Sequence, residues 1–528
     1  MTARPHCVLV VLLLAGLSRF AVGNSNPGFV ARITKKGLEY AQQYAVTILK
    51  QKLSTVSLPD LTGSFKMGWF GRVSYNFYNL KIHHFEIWNW NLHLLPNQHI
   101  TVSLPNNDIF LGGNWKVKKA FIDLQGNFDL TVYSISISVS LNFGKDQSGR
   151  PTASVAQCSN SIGRVRVHIS GSLSWILNLS HEGIENNIKR ILQQKICEMI
   201  RQSTTSYLEP YLRTLPVTVM IDETASLEYR LVGAPQVTSE GLDTPFKGEF
   251  FNPIQPAPAP FGAPPMMLPP RHDHMIYLAI SEYTFNTASW VYHKAGYMKV
   301  IIRNEHLRNL IKLAASESAK KWREQNLRPG CQLFKSTTLT TMASCFSNNF
   351  LPLLQQMPLN FSTLLHTSSF QMLVPQLART YPNMEVELEA SPESEPLLTF
   401  TPGNVTLSPV INIQAFVLLP NSSDHRPLFQ LRANTSVSIN VSVNSSRIVG
   451  SVTTGSELKL QLKQSSVSDI NVELMETILN YYAFNIIYPA LNAKLEEGFP
   501  LPLPRQIYLN NVELQIHKNF LLIGADIN

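Results

Sequence analysis

The stretch NWKVKKAFIDLQGNFDLTVYSISISVSLNF, Asn114 to Phe143, carries two signals in one run. Its second half alternates: Tyr133, Ile135, Ile137, Val139, Leu141 and Phe143 take every other position, with Ser134, Ser136, Ser138, Ser140 and Asn142 between them. Successive strand side chains point to opposite faces, so this pattern predicts a long strand with one face buried and one wet. Its first half is cationic: Trp115, Lys116, Lys118 and Lys119 crowd the root of that strand. An ammonium is a compact point charge suited to phosphate, and an indole is an amphipathic ring. Such a surface suits an amphiphile with phosphate and acyl chains better than it suits a reaction centre.

The alternation recurs at Val165, Val167, Ile169, Leu173 and Trp175, at Val437, Ile439, Val441 and Val443, and at Leu458, Leu460 and Leu462. Long antiparallel strands with one apolar face must curl to bury it, and a helix laid across the curl completes the burial. Helical spacing for that role appears at Ile184, Ile188, Ile191, Leu192, Ile196, Met199 and Ile200, followed by Pro210. It returns at Leu474, Ile478, Tyr481, Tyr482 and Ile486, followed by Pro489. The repeated helix-to-proline order reads as a distant internal duplication. A third stripe, Val30, Ile33, Ala41, Ala45, Ile48 and Leu49, predicts an opening helix between Val30 and Leu53.

A chain of 528 residues exceeds what one core usually serves. Between Asn252 and Pro270 lie Pro253, Pro256, Pro258, Pro260, Pro264, Pro265, Pro269 and Pro270, a composition that favours an extended, semi-rigid spacer. The expected division is therefore a signal peptide over 1–23, a first domain over 24–251, a proline-rich linker over 252–270 and a second domain over 271–528. A stretch at about 304–364 stands apart through Lys320-Lys321-Trp322-Arg323, a Pro329-Gly330 stop and an excess of cations, and it reads as an insertion.

Residues 1–23 place Arg4 before an apolar run from Val8 to Leu17, with Ala21 and Gly23 ahead of Asn24, the three parts of a secretory signal. The expected destination is extracellular, and no later apolar run has the length of a membrane span. N-x-S/T sequons at Asn178, Asn360, Asn404, Asn421, Asn434, Asn440 and Asn444 fit that compartment as glycosylation sites. Beyond Cys7 remain Cys158, Cys197, Cys331 and Cys345, an even number for which three disulfide pairings are open. Neither close pair has Cys-x-x-Cys spacing, and His272-Asp273-His274 beside Pro269 and Pro270 reads as an exposed start to the second domain, so no metal is expected. Gly-x-Ser-x-Gly, His-Glu-x-x-His and Gly-x-x-x-x-Gly-Lys motifs are all missing, which argues against an enzyme and against a cofactor. From Asn24 to Phe251, 22 Lys and Arg face 17 Asp and Glu, against 20 and 19 thereafter, so the basic bias lies in the first half. It favours anionic partners, while the lack of a dense Arg-rich run argues against nucleic acid.

Several motifs in order along the chain carry a family likeness. They are Asn26-Pro27-Gly28-Phe29-Val30-Ala31-Arg32-Ile33-Thr34, Leu124-Gln125-Gly126-Asn127-Phe128-Asp129, Ile196-Cys197-Glu198-Met199-Ile200, Tyr381-Pro382-Asn383-Met384 and Ala415-Phe416-Val417-Leu418-Leu419-Pro420. The ending, Gly498-Phe499-Pro500-Leu501-Pro502 through Gln515-Ile516-His517-Lys518-Asn519-Phe520, completes the set. Together they resemble the family of lipopolysaccharide-binding and bactericidal/permeability-increasing proteins, which also holds the plasma lipid-transfer proteins; the likeness is nearest to its lipopolysaccharide-binding members.

The resemblance implies an α+β fold: an elongated boomerang of two BPI-like domains, each a twisted antiparallel β-barrel with long amphipathic helices, joined by a central sheet. It implies an apolar pocket for phospholipid in each domain and a Cys158–Cys197 disulfide, with Cys331 and Cys345 left as a second pair in the extra segment. It further implies lipopolysaccharide contact at a basic tip of the first domain, through Trp115, Lys116, Lys118 and Lys119. Asn114, Ala120 and Asp123 depart there from the family's more basic pattern. The expected function is that of a secreted protein of innate immunity to Gram-negative bacteria, binding lipid A at the tip and phospholipid in the pockets. Membrane or lipoprotein surfaces are further partners, and the second domain would meet a membrane receptor. The alternative is an extracellular phospholipid carrier or transfer protein without endotoxin sensing. The plainest reading makes the lysines a solvated hairpin end that guards a sheet edge.

Overall fold

A computed structural model of the chain describes residues 26–43, 59–66, 71–87, 89–119, 122–170, 181–306, 365–371, 373–420, 425–444, 447–453, 457–467, 470–501 and 508–527. Both halves meet in one six-stranded sheet, in the order Gln236–Val237, Gly241–Phe246, β1 (Phe29–Thr34), Ile276–Ser281, Phe520–Ile527 and Leu509–His517. All its pairings are antiparallel. β1 pairs on both sides, so Val30 and Ile33 lie in a strand and the opening helix begins only at Lys35. An i, i+3 apolar pair is compatible with either period, and Arg32 resolves it: its guanidinium, buried, grips Asp243 at 2.7 and 2.8 Å and donates to the Pro269 carbonyl at 2.8 Å. The rest of the predicted opening helix, from Tyr44 on, lies outside the described residues.

The proline-rich stretch packs onto this sheet. Met266 and Leu268 cover Val30, Tyr277, Ala279, Phe520 and Leu522, and the Asn26 side-chain amide donates to the Ala263 carbonyl at 2.9 Å. Proline offers no N–H to a ladder, so this stretch can cover a sheet face without extending the sheet.

The first sheet runs β2 (Leu61–Lys66), β3 (Arg72–Glu86), β5 (His99–Lys119), β6 (Ile122–Lys145) and β7 (Pro151–Ile169), with β4 (Asn91–Leu95) also paired to β5. It curls because its long strands are broken by bulges: the register shifts between Tyr78 and Lys81 and between Leu104 and Asn107, with Asn79, Asn106 and Ser134 at φ 55°, 56° and 54°. The Ser134 bulge interrupts the alternation read from sequence. Val132 and Ile135 stay buried while Tyr133 turns to the outer face.

On the concave face, Phe77, Trp115, Phe128, Leu130, Val132, Ile135 and Val165 form one core with Ile188 of the long helix His181–Ser203. A disulfide ties Cys197 of that helix to Cys158, with an S–S distance of 2.06 Å and Cα atoms 5.7 Å apart. Cys158 sits in the middle of β7. The helix also satisfies the outer strand's backbone: Glu185 accepts from the Val167 N–H at 3.1 Å and Lys189 donates to the Gly163 carbonyl at 2.9 Å. An edge blunted in this way cannot recruit a foreign strand.

The second half holds two five-stranded antiparallel sheets, one ordered Val300–Ile302, Val386–Pro392, Val410–Leu418, His425–Asn434, Lys459–Ser465. The other runs Leu398–Thr401, Asn404–Leu407, Val437–Asn444, Arg447–Val452, Phe499–Pro500. The duplication read from sequence has a geometric counterpart. Both long helices, His181–Ser203 and Val472–Tyr482, pass into a five-residue π segment and then into a short helix with proline in its first turn, Pro210 or Pro489. Proline cannot donate to the preceding turn, and a locally widened turn accommodates the missing bond. Residues 307–364, with Cys331, Cys345 and Asn360, lie outside the described residues. The Leu365 N–H donates to the Asn304 side chain at 2.9 Å, which brings the two flanks of that stretch together.

Candidate functional site

The β5–β6 hairpin ends at one pole of the half-barrel. Trp115 and Val117 point inward, so Lys116 and Lys118 point outward. The expectation of an exposed indole at Trp115 is corrected: the side chain is 1% exposed, and its Nε1–H donates to the Ser170 carbonyl at 3.2 Å. Gly126, opposite Trp115, makes room for the ring, since a Cβ there would lie 2.7 Å from Nε1. Lys119 pairs through its backbone with Ile122; its side chain and Ala120 lie outside the described residues.

Two cations escaped the sequence reading. In the neighbouring hairpin Lys66 pairs with Arg72, both exposed, and the register of β3 on β5 sets Ser74 opposite Lys118. Lys66 and Arg72 therefore sit at the same pole as Lys116 and Lys118. The available signal was the Gly68-Trp69-Phe70-Gly71 sequence between them, but only strand order makes Lys66 and Arg72 neighbours of the second hairpin.

The local field is not purely positive. Asp123 lies 3.5 Å from the Lys116 ammonium and 3.8 Å from that of Lys118. Asn114 is built into an amide chain, accepting from Asn79 at 3.1 Å and donating to Asn127 at 2.8 Å. The arrangement can hold phosphate by charge and hydrogen bonding. Between sheet and helix, Ile109, Ile137, Val167, Ile191, Leu192 and Ile196 are half-buried apolar side chains against the core.

Two surface hollows differ in character from the expected acyl pockets. One, of about 420 Å³, is lined by Asn434, Thr435, Ser436, Glu457 and Lys459; the other, of about 410 Å³, lies over the serine-rich outer face at Ser103, Ser136, Ser138, Ser159 and Ser161. Of the sequons, Asn404, Asn440 and Asn444 are exposed, whereas Asn434 is half-buried with its amide oxygen out of reach of water. Asn178 and Asn421 lie outside the described residues. The His272-Asp273-His274 stretch is strapped down rather than loose, with His272 3.2 Å from Glu240 and His274 3.4 Å from Glu513. Among the described residues no His, Cys, Asp and Glu cluster could hold a metal, and no helix is long and apolar enough to cross a membrane.

Comparison with known proteins adds the following. The N-terminal domain model of the LBP / BPI / CETP family matches residues 37–211, and the C-terminal domain model matches 219–316 and 336–528. The chain is 42% identical over 520 residues to the lipopolysaccharide-binding protein of Homo sapiens, covering 98% of this chain and 97% of that one. It is 33% identical over 521 residues to the bactericidal permeability-increasing protein of Rattus norvegicus, covering 98% and 97%. A crystal structure of lipopolysaccharide binding protein superposes with a TM-score of 0.56 at 38% identity, covering 95% of this chain and 99% of the other.

Proposed function

Because the chain belongs to the LBP / BPI / CETP family, we propose that it is an exported protein that binds lipopolysaccharide at the pole formed by Lys66, Arg72, Lys116 and Lys118. The observation that carries this reading is the convergence of those four outward cations from two hairpins at one end of a half-barrel. Lipid A combines phosphates with acyl chains. The phosphates would meet the ammonium and guanidinium groups, and the chains would leave water for apolar protein surface, each buried methylene contributing about 0.8 kcal/mol. The half-buried side chains between sheet and long helix, Ile137 and Leu192 among them, offer such a surface to phospholipid as well. Trp115 acts here as a packing residue that fixes the hairpin on which the lysines stand. The stretch after Asn304, whose flanks meet at Leu365, is read as an insertion, and 317–335 within it falls between the two matched parts of the family's C-terminal model. A role for the second domain in meeting a membrane receptor belongs to the same reading.

The second reading, a phospholipid carrier indifferent to endotoxin, is favoured by one observation: Asp123 already occupies the space between two of the lysines. Equilibrium binding of the purified glycoprotein to lipopolysaccharide and to phosphatidylcholine vesicles separates the two. Lys116→Gln/Lys118→Gln and Lys66→Gln/Arg72→Gln should each weaken lipopolysaccharide binding several-fold, roughly 1 kcal/mol or less per exposed contact, and leave phosphatidylcholine uptake intact. Phosphatidylcholine uptake with no lipopolysaccharide binding by the wild type would leave the carrier, and lipopolysaccharide binding unchanged by either pair would move the contact away from this pole.

A further inference from the structure

A second group of cations stands on the outer face of the first sheet, away from the pole. The guanidinium carbons of Arg164 and Arg166 lie 5.6 and 5.8 Å from the centroid of the Tyr133 ring. Tyr133 is ten residues along β6 from Asp123, which at about 3.3 Å per residue puts this group roughly 30 Å from the polar lysines. Both arginines are exposed, and neither is in an ion pair among the described residues. Lys189, whose ammonium donates to the carbonyl of Gly163 next door, adds a third positive charge. Three acids lie nearby: Asp108, whose carboxylate accepts from the Ser134 N–H at 2.9 Å, Glu185 on the Val167 N–H at 3.1 Å, and Asp129 opposite His168.

The backbone is shaped to present this group. Ser134 adopts φ 54°, and Gly163 accommodates it, since a Cβ at Gly163 would lie 2.8 Å from the Ser134 Cβ. That bulge is what turns Tyr133 outward against the alternation of its strand, and bulges commonly re-aim a side chain. The phenol then holds two guanidiniums side by side through its ring face. Two guanidiniums held side by side, neither of them in an ion pair among the described residues, keep their donors open to an anion, and the planar fork of arginine matches phosphate oxygens two at a time.

We propose that Tyr133, Arg164 and Arg166 form an anion site, separate from the hairpin pole, that takes a phosphate monoester. A monoester can present two negative charges to two forks where a diester presents one. The same chemistry is found on a phosphorylated sugar and on the headgroup of phosphatidic acid. The assignment does not depend on what the hairpin pole binds.

Flotation of the full-length protein with phosphatidylcholine vesicles containing phosphatidic acid tests it, with phosphatidylglycerol vesicles as the diester control. Arg164→Gln/Arg166→Gln should lower the apparent affinity for the phosphatidic acid vesicles about tenfold, while Arg164→Lys/Arg166→Lys, which keeps charge and loses the fork, should fall between. A circular-dichroism melt matching wild type verifies folding, and the lysine pair replaces the glutamine pair if the latter melts early. Soluble glucosamine 1-phosphate should displace the protein if sugar phosphates are the source. Arginine-dependent flotation that this competitor cannot displace assigns the lipid headgroup. Equal affinity of variant and wild type for phosphatidic acid vesicles overturns the site, and an equal loss on phosphatidylglycerol overturns its preference for a monoester.

Discussion

Asp123 is the residue on which the strength of the hairpin pole turns, because its carboxylate competes with any phosphate for Lys116 and Lys118 at 3.5 and 3.8 Å. Exposed pairs of this kind are worth about 0.2–1 kcal/mol each. Asp123→Asn removes the competitor and one negative charge, so lipopolysaccharide affinity should rise several-fold at low salt. The gain should shrink at high salt, where exposed charges are screened. A titration showing no gain at low ionic strength would remove the lysines from the contact. Trp115, three side chains from the hairpin's end, behaves oppositely. It is buried in the core with Phe77 and Phe128, so Trp115→Ala should cost about 3–5 kcal/mol of stability, seen as an earlier urea midpoint. An unfolding midpoint close to wild type would mean that the indole is not packed as described.

At the scale of elements, the long helix is held to β7 by the Cys158–Cys197 bridge and by Glu185 and Lys189 on the strand's backbone. The bridge closes a loop of 39 residues, for which chain-entropy arguments give about 4 kcal/mol at most. Cys158→Ala/Cys197→Ala should therefore unfold at lower denaturant with the fold retained. A variant as stable as wild type would show that packing of Ile188 and its neighbours alone seats the helix. Much of this was legible in sequence. Ile135, Ile137, Val139 and Leu141 have only one reading, and Ile188 to Ile200 repeat at helical spacing over several turns. Val30 and Ile33 were misassigned because two residues three apart fit either period, and the partner strands that decide between them lie more than 200 residues away. The bulge at Ser134 was hidden because serine carries no signal for a left-handed backbone. Lys66 and Arg72 were missed because their nearness to Lys118 is a property of strand order, not of spacing along the chain.

For the whole molecule, the central sheet is the joint: three strands from each half share one hydrogen-bonded ladder, and charged groups strap its margin. Arg271 and His274 both reach Glu513, His272 reaches Glu240, and Lys36 reaches both the Asp273 carbonyl and Asp526, so the chain following the prolines is fastened to both halves. These groups make the joint sensitive to acid. His517, stacked on Phe520, is held below its ordinary pKa by burial and, secondarily, by the Arg271 charge. Glu513 is held below its ordinary value by hydrogen bonds from Gln515 first, then His274 and Arg271. Burial pushes Asp526 up, but bonds from Lys36, Asn511 and the Met275 N–H outweigh it and leave its pKa lowered. In each case the folded state disfavours the proton, so stability falls as pH falls. The His517 contribution is complete above the unfolded value of about 6.5 and is lost below it; the carboxylate contributions are complete above about 4.5 and are lost in stronger acid. The thermal midpoint should consequently drop in two stages, a first as pH falls below about 6.5 and a second below about 4.5. His517→Gln should flatten the first stage and leave the second. Melting curves followed by circular dichroism across that range provide the check: an undiminished first stage in His517→Gln would place the proton uptake on another group.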